Sequence, residues 1–135
     1  VWALRDPEGA PLDRVQIVKG WTETGEAHEQ VYDVACSGGA AVDPATHRCP
    51  DNGASVDLAT CETSPGRGAN ELQSTWTDPA FEPSLRAIYY VRVLDTPTCR
   101  WATWDAVRQG VEPRHDMPAT IQERAWSSPI WYRTR

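Results

Sequence analysis

Four cysteines are the residues whose type and number point most directly to chemistry: Cys36, Cys49, Cys61 and Cys99. Zinc sites usually contain a C-x-x-C pair, and this chain has none. An even number of cysteines without that pair favours two disulfides in an exported protein, with four reduced, buried cysteines as the alternative. Three pairings are open from sequence alone. We favour Cys36–Cys49, which closes the most turn-rich loop, and Cys61–Cys99, which ties two strand ends together.

Histidines with acidic neighbours form two clusters that could in principle ligate a metal. The clusters are Glu112, His115 and Asp116, and Glu26, His28 and Glu29. Both fall in predicted loops and neither has H-x-H or H-x-x-x-H spacing, so we interpret them as solvated loop groups. No G-x-S-x-G elbow marks a nucleophilic serine, and sequence alone gives no carboxylate separations. We therefore predict no catalytic residue, no metal site and no cofactor in this chain.

Seven tryptophans are many for a chain of 135 residues. Trp101 and Trp104 lie three residues apart, and Trp126 and Trp131 lie near the end. The interpretation we favour is core packing, because aromatic rings contribute strongly to burial energetics. The alternative is an exposed aromatic platform, which many secreted modules use to hold sugars. These four tryptophans are our candidates for a docking or ligand face.

Three arginines lie beside apolar strand residues: Arg92, Arg100 and Arg124. An inward arginine must meet a carboxylate or carbonyl groups, since a buried unpaired charge is costly. The available carboxylates are Asp33, Asp57, Asp95 and Glu123. We predict structural ion pairs for these arginines rather than a clamp on a substrate.

The overall composition narrows the class of protein. The net charge is −6 and the basic residues are scattered, which argues against a nucleic-acid partner. No apolar run approaches the ~20 residues that span a bilayer, and no signal peptide is visible. The chain begins at Val1 and its only methionine is Met117, so we expect a processed or excised piece of a longer protein.

The segment Ala87–Leu94 carries large side chains on both alternating faces, which is typical of a strand in the middle of a sheet. We therefore expect it to position many of the other elements. A helix of one or two turns is predicted over Arg100–Arg108, ended by Gly110. Val1–Leu12 and Ser37–Gly53 are predicted loops. Further strands are predicted at Asp13–Trp21, Gln30–Cys36, Ala54–Cys61 and Asn70–Thr77. In Ala54–Cys61 we expect Leu58 to point inward. Ile121–Tyr132 is predicted to form one or two last strands, interrupted by Pro129.

Short strands separated by turn signals predict a mainly β fold, an antiparallel β-sandwich that is immunoglobulin-like or similar. We expect long loops and at most one short helix. The length predicts a single domain over residues 1–135.

Five stretches together resemble a known family, in preserved order and over nearly the whole chain: Leu12–Trp21, Val31–Ala35, Trp76–Pro79, Tyr89–Leu94 and Ile121–Tyr132. They are similar to the C-terminal end of the bacterial domain-of-unknown-function family 3604. Its long proteins are usually exported and are related to the PHP class (polymerase and histidinol phosphatase) of metal-dependent phosphoesterases. Members often lack some of the cysteines, so all four here fit an oxidised, periplasmic or secreted member.

The resemblance implies a non-catalytic C-terminal accessory module of a PHP-like metal-dependent phosphoesterase whose substrate is unknown. In that family the metal-binding histidines lie near the N-terminus in a Gly-x-x-His-x-His type motif, and no stretch of this chain matches it. The expected partners are the upstream hydrolase-like domain of the same protein or a second copy in a homodimer. Docking is expected near Trp126 and Trp131. The alternative function is a secreted glycan-binding module that uses exposed tryptophans.

Overall fold

The computed structural model describes residues 1–134, which form nine β-strands and one short α-helix. In chain order they are β1 (Trp2–Leu4), β2 (Leu12–Glu23), β3 (Glu26–Cys36), β4 (Glu71–Gln73), β5 (Arg86–Asp95), β6 (Thr98–Cys99), α1 (Trp101–Gln109), β7 (Thr120–Ile121), β8 (Arg124–Trp126) and β9 (Ile130–Tyr132). Every strand pair among them is antiparallel. The prediction of a mainly β, antiparallel fold with one short helix is confirmed.

The main sheet has the strand order β3-β2-β5-β8, and β9 pairs with β5 beside β8. β2 and β3 form a long hairpin whose turn residues Thr24 and Gly25 have φ angles of 51° and 88°. Positive φ at both positions belongs to the type I′ turn, whose twist matches that of the paired strands. β5 is hydrogen-bonded along both sides, so the prediction that Ala87–Leu94 lies in the middle of the structure is confirmed.

A second, smaller layer makes the fold sandwich-like. β1 pairs with β4, and Leu72 of β4 packs with Leu12 and Val15 in the hydrophobic core. We call the side of the main sheet beneath this layer the covered face; it carries Val15 and Lys19 of β2. The opposite face carries Gln16, because successive side chains of a strand point to opposite sides.

A buried ion pair fixes the chain between β4 and β5 onto the covered face. Lys19, the only lysine of the chain, places Nζ 2.6 Å from Asp78 Oδ2, and both side chains are only 7% exposed. The same Nζ donates a hydrogen bond to Ala80 O at 2.6 Å, and Tyr89 OH donates to Asp78 Oδ2 at 2.8 Å. These bonds compensate the desolvation of the two charges.

Aromatic packing continues this contact. The ring of Trp76 lies 5.0 Å from that of Tyr32 and 6.5 Å from that of Tyr89, both tilted. Tyr32 and Tyr89 project from β3 and β5, on either side of β2. The loop that carries Trp76 and Asp78 therefore covers three adjacent strands.

The disulfides are Cys36–Cys49 and Cys61–Cys99, the two pairs favoured from the sequence. The first closes the loop after β3. The second ties the segment around residue 61 to β6. The segment between Cys36 and Cys49 contains no strand, whereas that between Cys61 and Cys99 includes β4 and β5. Covalent closure limits the conformations that the unfolded chain can sample.

The predicted strand Ala54–Cys61 is wrong. This segment makes one isolated bridge, between Val56 and Thr63, and Leu58 is 45% exposed rather than inward. Asp57 accepts a hydrogen bond from the Ala59 N–H at 2.9 Å, which favours a turn over an extended strand.

Other boundaries also differ from the prediction. The predicted strand Asn70–Thr77 is reduced to β4, and Val1–Leu12 is not entirely a loop, because it contains β1. The predicted helix is confirmed as α1, with Gly110 at φ 64° as its C-cap. The interruption at Pro129 is confirmed, since it separates β8 from β9. No helix within residues 1–134 is long and apolar enough to cross a membrane.

Replacement of Lys19 by Met leaves the Asp78 carboxylate buried without its cation. We expect the free energy of unfolding to fall by about 3–5 kcal/mol, the usual result of removing one partner of a buried pair. Urea denaturation of the wild type and of Lys19→Met measures the difference. The double variant Lys19→Met/Asp78→Leu should recover much of the loss, and a single variant as stable as the wild type would contradict this account.

Asp78 also predicts how stability depends on pH. Burial raises the pKa of Asp78, but hydrogen bonds from Lys19, Tyr89 and the Ala80 N–H, with the ammonium charge, outweigh it and hold the pKa below its ordinary value of 3.8. The pair therefore contributes its full stabilisation above the unfolded-state pKa and loses it as pH falls through the folded-state pKa. Urea midpoints between about pH 6 and 2 should fall less steeply with acid in Asp78→Asn than in the wild type; parallel curves would show that Asp78 is not the group responsible.

Candidate docking surface

A groove opens between the two layers of the sandwich, at the edge formed by β1 and β8. It has a volume of about 510 Å³. Its apolar lining includes Trp2, Leu4, Val91, Val93, Ala125 and Trp126. We call it the Trp2–Trp126 groove. Because its walls come from both layers, the sandwich is not closed at this side.

The shortness of the second layer explains why the groove is open. β1 and β4 are three residues each, whereas β2 and β5 have twelve and ten. β1 pairs with β4, and no strand within residues 1–134 pairs with its other edge. Residues of β1 line the groove and those of β4 do not. An unpaired strand edge beside apolar surface is a site where another chain segment can add.

The side chains at the groove are large, apolar and exposed. Trp2 is 65% exposed, Leu4 63% and Trp126 59%. Trp2 Nε1 donates a hydrogen bond to Glu71 Oε1 at 2.7 Å, which fixes the orientation of its ring. On β9, farther along the edge of β5, Ile130 and Trp131 are 71% and 66% exposed. Monomeric proteins rarely leave contiguous apolar surface of this kind uncovered.

Acidic groups also line the groove. They are Asp6, Asp95 and Glu123, with Arg124 as the counter-charge. Burial, and then the neighbouring Glu123 carboxylate, raise the pKa of Asp95. The groove therefore suits a partner whose apolar contact region is flanked by basic or hydrogen-bond-donating groups.

The favoured interpretation of the tryptophans as core residues is wrong for the four candidates. Trp101, Trp104, Trp126 and Trp131 are 70%, 37%, 59% and 66% exposed. A core whose fully buried large side chains are Val15 and Val18 has little room for indole rings. The candidates do not form one face, because Trp126, Trp131 and Trp104 each line a different depression.

Trp2 lines the groove and was missed by the sequence analysis. The segment Val1–Leu12 contains several turn-forming residues, and its strand is only three residues long. The alternation of the large side chains of Trp2 and Leu4 with the small Ala3 was the sequence signal that could have indicated a strand. Pairing with β4, about seventy positions away in the chain, makes it a strand.

A second cleft lies at the other end of the main sheet and has a volume of about 630 Å³. Trp21 and His28 stack there with ring centroids 5.3 Å apart. Trp131 and Tyr132 of β9 also line this cleft. It combines flat aromatic rings with polar groups, as ligand-binding clefts do.

The predicted ion pairs of Arg92, Arg100 and Arg124 are wrong for the part of the chain that the structure describes. None of the ion pairs found there involves these arginines. Arg92 Nε instead donates to Gln16 Oε1 at 2.7 Å, and the buried Arg100 Nε makes no hydrogen bond within residues 1–134. The apolar neighbours of Arg92 in the sequence did not reveal that its guanidinium group would bond the Gln16 amide and not a carboxylate.

The two histidine clusters serve other contacts. His115 Nε2 lies 3.2 Å from Glu112 Oε1, with both side chains about four-fifths exposed, and Asp116 pairs with Arg114. His28 stacks on Trp21. Among residues 1–134, no group of three histidines, cysteines or acids is placed to hold a metal ion.

The family model described as "Protein of unknown function (DUF3604)" matches residues 1–134. No curated protein and no solved structure matches the chain.

Exposure at the groove predicts which tryptophans matter for stability. Trp126→Ser should change the free energy of unfolding by no more than about 0.5 kcal/mol, because an exposed ring loses few contacts. Trp76→Ser should cost more, about 1–3 kcal/mol, because it removes the ring contacts to Tyr32 and Tyr89. Chemical denaturation measures both. Equal losses would mean that Trp126 is packed against the rest of this chain.

Proposed function

Because the chain belongs to the DUF3604 family of proteins of unknown function, we propose that it is a non-catalytic, C-terminal accessory module of a longer protein. Its Trp2–Trp126 groove docks onto the hydrolase-like domain that precedes it. That domain is a PHP-like metal-dependent phosphoesterase, as the resemblance of the five sequence stretches implies. The module itself supplies contacts and not chemistry.

The observation that carries this proposal is the open side of the sandwich. Trp2 and Trp126 are more than half exposed, and both line the groove together with Val91 and Val93. A partner that fills the groove removes this apolar surface from water, which stabilises the contact in proportion to the area buried. It can also pair with the free edge of β1.

The character of the groove favours a protein surface over a sugar. Its lining is mainly apolar and includes valine and alanine side chains, with the carboxylates of Asp6, Asp95 and Glu123 among them. Protein interfaces combine apolar and polar groups in this way.

The proposal includes an exported location, periplasmic or secreted. Two disulfides support it, because disulfides form and persist in oxidising compartments. A homodimer through the same groove is the other form that docking can take. The acidic overall charge does not favour nucleic acid as a partner.

A second candidate function is glycan binding in the cleft of Trp21 and Trp131. The observation that favours it is an exposed Trp131 ring beside the Trp21–His28 stack. Rings of this kind can stack on the apolar faces of sugars, and Thr22 and Arg133 supply hydrogen-bonding groups in the same cleft.

The test of docking uses the full-length protein and the variants Trp126→Ser and Trp101→Ser. Trp101 is the matched control, because it is equally exposed but lies on α1 and does not line the groove. We expect amide hydrogen exchange of β1 and β8 to be slower in the full-length protein than in this chain alone. Trp126→Ser should restore fast exchange, and Trp101→Ser should not.

Metal content and phosphoester hydrolysis separate the parts of the proposal. We expect divalent metal and activity with the full-length protein and neither with this chain alone. Equal exchange of β1 and β8 in both forms would overturn docking at the groove. Stoichiometric metal or turnover by this chain alone would overturn the non-catalytic assignment. A full-length protein without metal would overturn the phosphoesterase assignment.

A further inference from the structure

Four arginines line one pocket on the opposite face of the main sheet: Arg14, Arg48, Arg92 and Arg124. The pocket has a volume of about 430 Å³. The whole chain has a net charge of −6 and only thirteen basic residues. Four guanidinium groups in one pocket therefore oppose the charge of the rest of the molecule.

Strand pairing brings three of these arginines together from distant parts of the chain. Arg14 of β2 lies opposite Leu94 of β5, and Leu94 lies opposite Arg124 of β8. Arg92 is two residues from Leu94 and so projects from the same face. Arg48 comes from the loop that the first disulfide closes.

Asp33 is the one carboxylate that lines this pocket within the described chain. Its side chain is 1% exposed, and it accepts hydrogen bonds from Gln16 Nε2 at 2.6 Å and from the Cys49 N–H at 2.7 Å. It therefore holds the base of the pocket in place. Four positive charges against one negative charge leave a net +3, and Asp13, bonded to Arg14 Nη1 at 2.7 Å, reduces the sum to +2.

Several arginine donors remain unused by the protein. Arg14 Nε is buried and makes no hydrogen bond within residues 1–134, and its nearest carboxylate oxygen, Asp33 Oδ2, lies 3.8 Å away. Arg48 Nη1 lies 3.5 Å from Asp33 Oδ1. Arg92 donates through Nε to Gln16 Oε1 at 2.7 Å, and this bond orients its guanidinium. No hydrogen bond found among residues 1–134 uses the terminal nitrogens of Arg92, and none uses any nitrogen of Arg124.

We propose that this arginine pocket binds the oxyanion of a small molecule, a phosphate or a carboxylate group. The planar guanidinium fork matches the paired oxygens of both groups, and it binds them more specifically than an ammonium does. The volume lies within the ~300–1,000 Å³ typical of small-molecule sites. The proposal rests on this pocket alone and does not depend on docking at the Trp2–Trp126 groove.

The experiment titrates this chain with sodium phosphate and, separately, with sodium acetate. Sodium chloride keeps the ionic strength constant, so that general screening does not change. The Nε–H resonances of the arginines are followed by NMR. The variants are Arg48→Gln, whose wild-type side chain is 48% exposed, and Arg92→Lys, which keeps the charge but loses the fork.

Arg86→Gln is the matched control. Arg86 lies on the same strand and the same face as Arg92, six residues or about 20 Å away. The substitution Arg86→Gln removes the same charge as Arg48→Gln, but Arg86 does not line the pocket. If Arg92→Lys fails to fold, the comparison of Arg48→Gln with Arg86→Gln still decides the question.

We expect saturable shifts of the Arg14 and Arg92 resonances with at least one anion. The anion that saturates at the lower concentration identifies the ligand group. Arg48→Gln and Arg92→Lys should weaken its binding about ten-fold, and Arg86→Gln less than about two-fold. Absence of saturation with both anions would overturn the proposal. Equal weakening by Arg86→Gln and Arg48→Gln would also overturn it, because it would indicate a diffuse electrostatic effect.

Discussion

The buried contact between Lys19 and Asp78 is the interaction on which much of the architecture depends. It joins β2 of the main sheet to the loop before β5, with both side chains almost fully buried. Such a pair stabilises the fold only when further hydrogen bonds satisfy its groups, as Ala80 and Tyr89 do here. Once the loop is held, Trp76 packs against Tyr32 of β3 and Tyr89 of β5, and this part of the covered face is shielded from water.

The same strands carry a different chemistry on their other side. Asp33, Gln16 and Arg92 follow one another across β3, β2 and β5 and are joined by hydrogen bonds. Alternation along a strand lets one sheet keep an apolar, aromatic face and a polar, cationic face within a few ångströms. Apart from Arg48, the arginines of the candidate anion pocket therefore lie on strands of the main sheet.

The second layer is too short to cover the whole covered face. Its two strands of three residues each shield Val15, but the groove between β1 and β8 remains open. Two disulfides and a network of side-chain bonds supplement this limited core. A small core with exposed tryptophans is what the proposed docking onto another domain requires.

Local sequence signals determined much of the fold. Alternation of apolar residues identified β2 and β3, and large side chains on both faces identified β5. Gly110 identified the end of α1, and Pro129 identified the break between β8 and β9. These features depend on residues close together in the chain. The turn-rich loop also favoured the disulfide Cys36–Cys49. Cys61–Cys99 was favoured as a tie between two strand ends, and the structure contains it although Cys61 does not end a strand.

Tertiary structure alone decided the candidate sites. β1 is a strand because β4 lies beside it, and Ala54–Cys61 is not a strand because no long partner is available. Tryptophans remain exposed because two thin layers cannot enclose them. Arginines gather in one pocket because strand pairing makes distant positions adjacent. Burial and pairing are properties of the assembled surface, and periodicity along the sequence does not contain them.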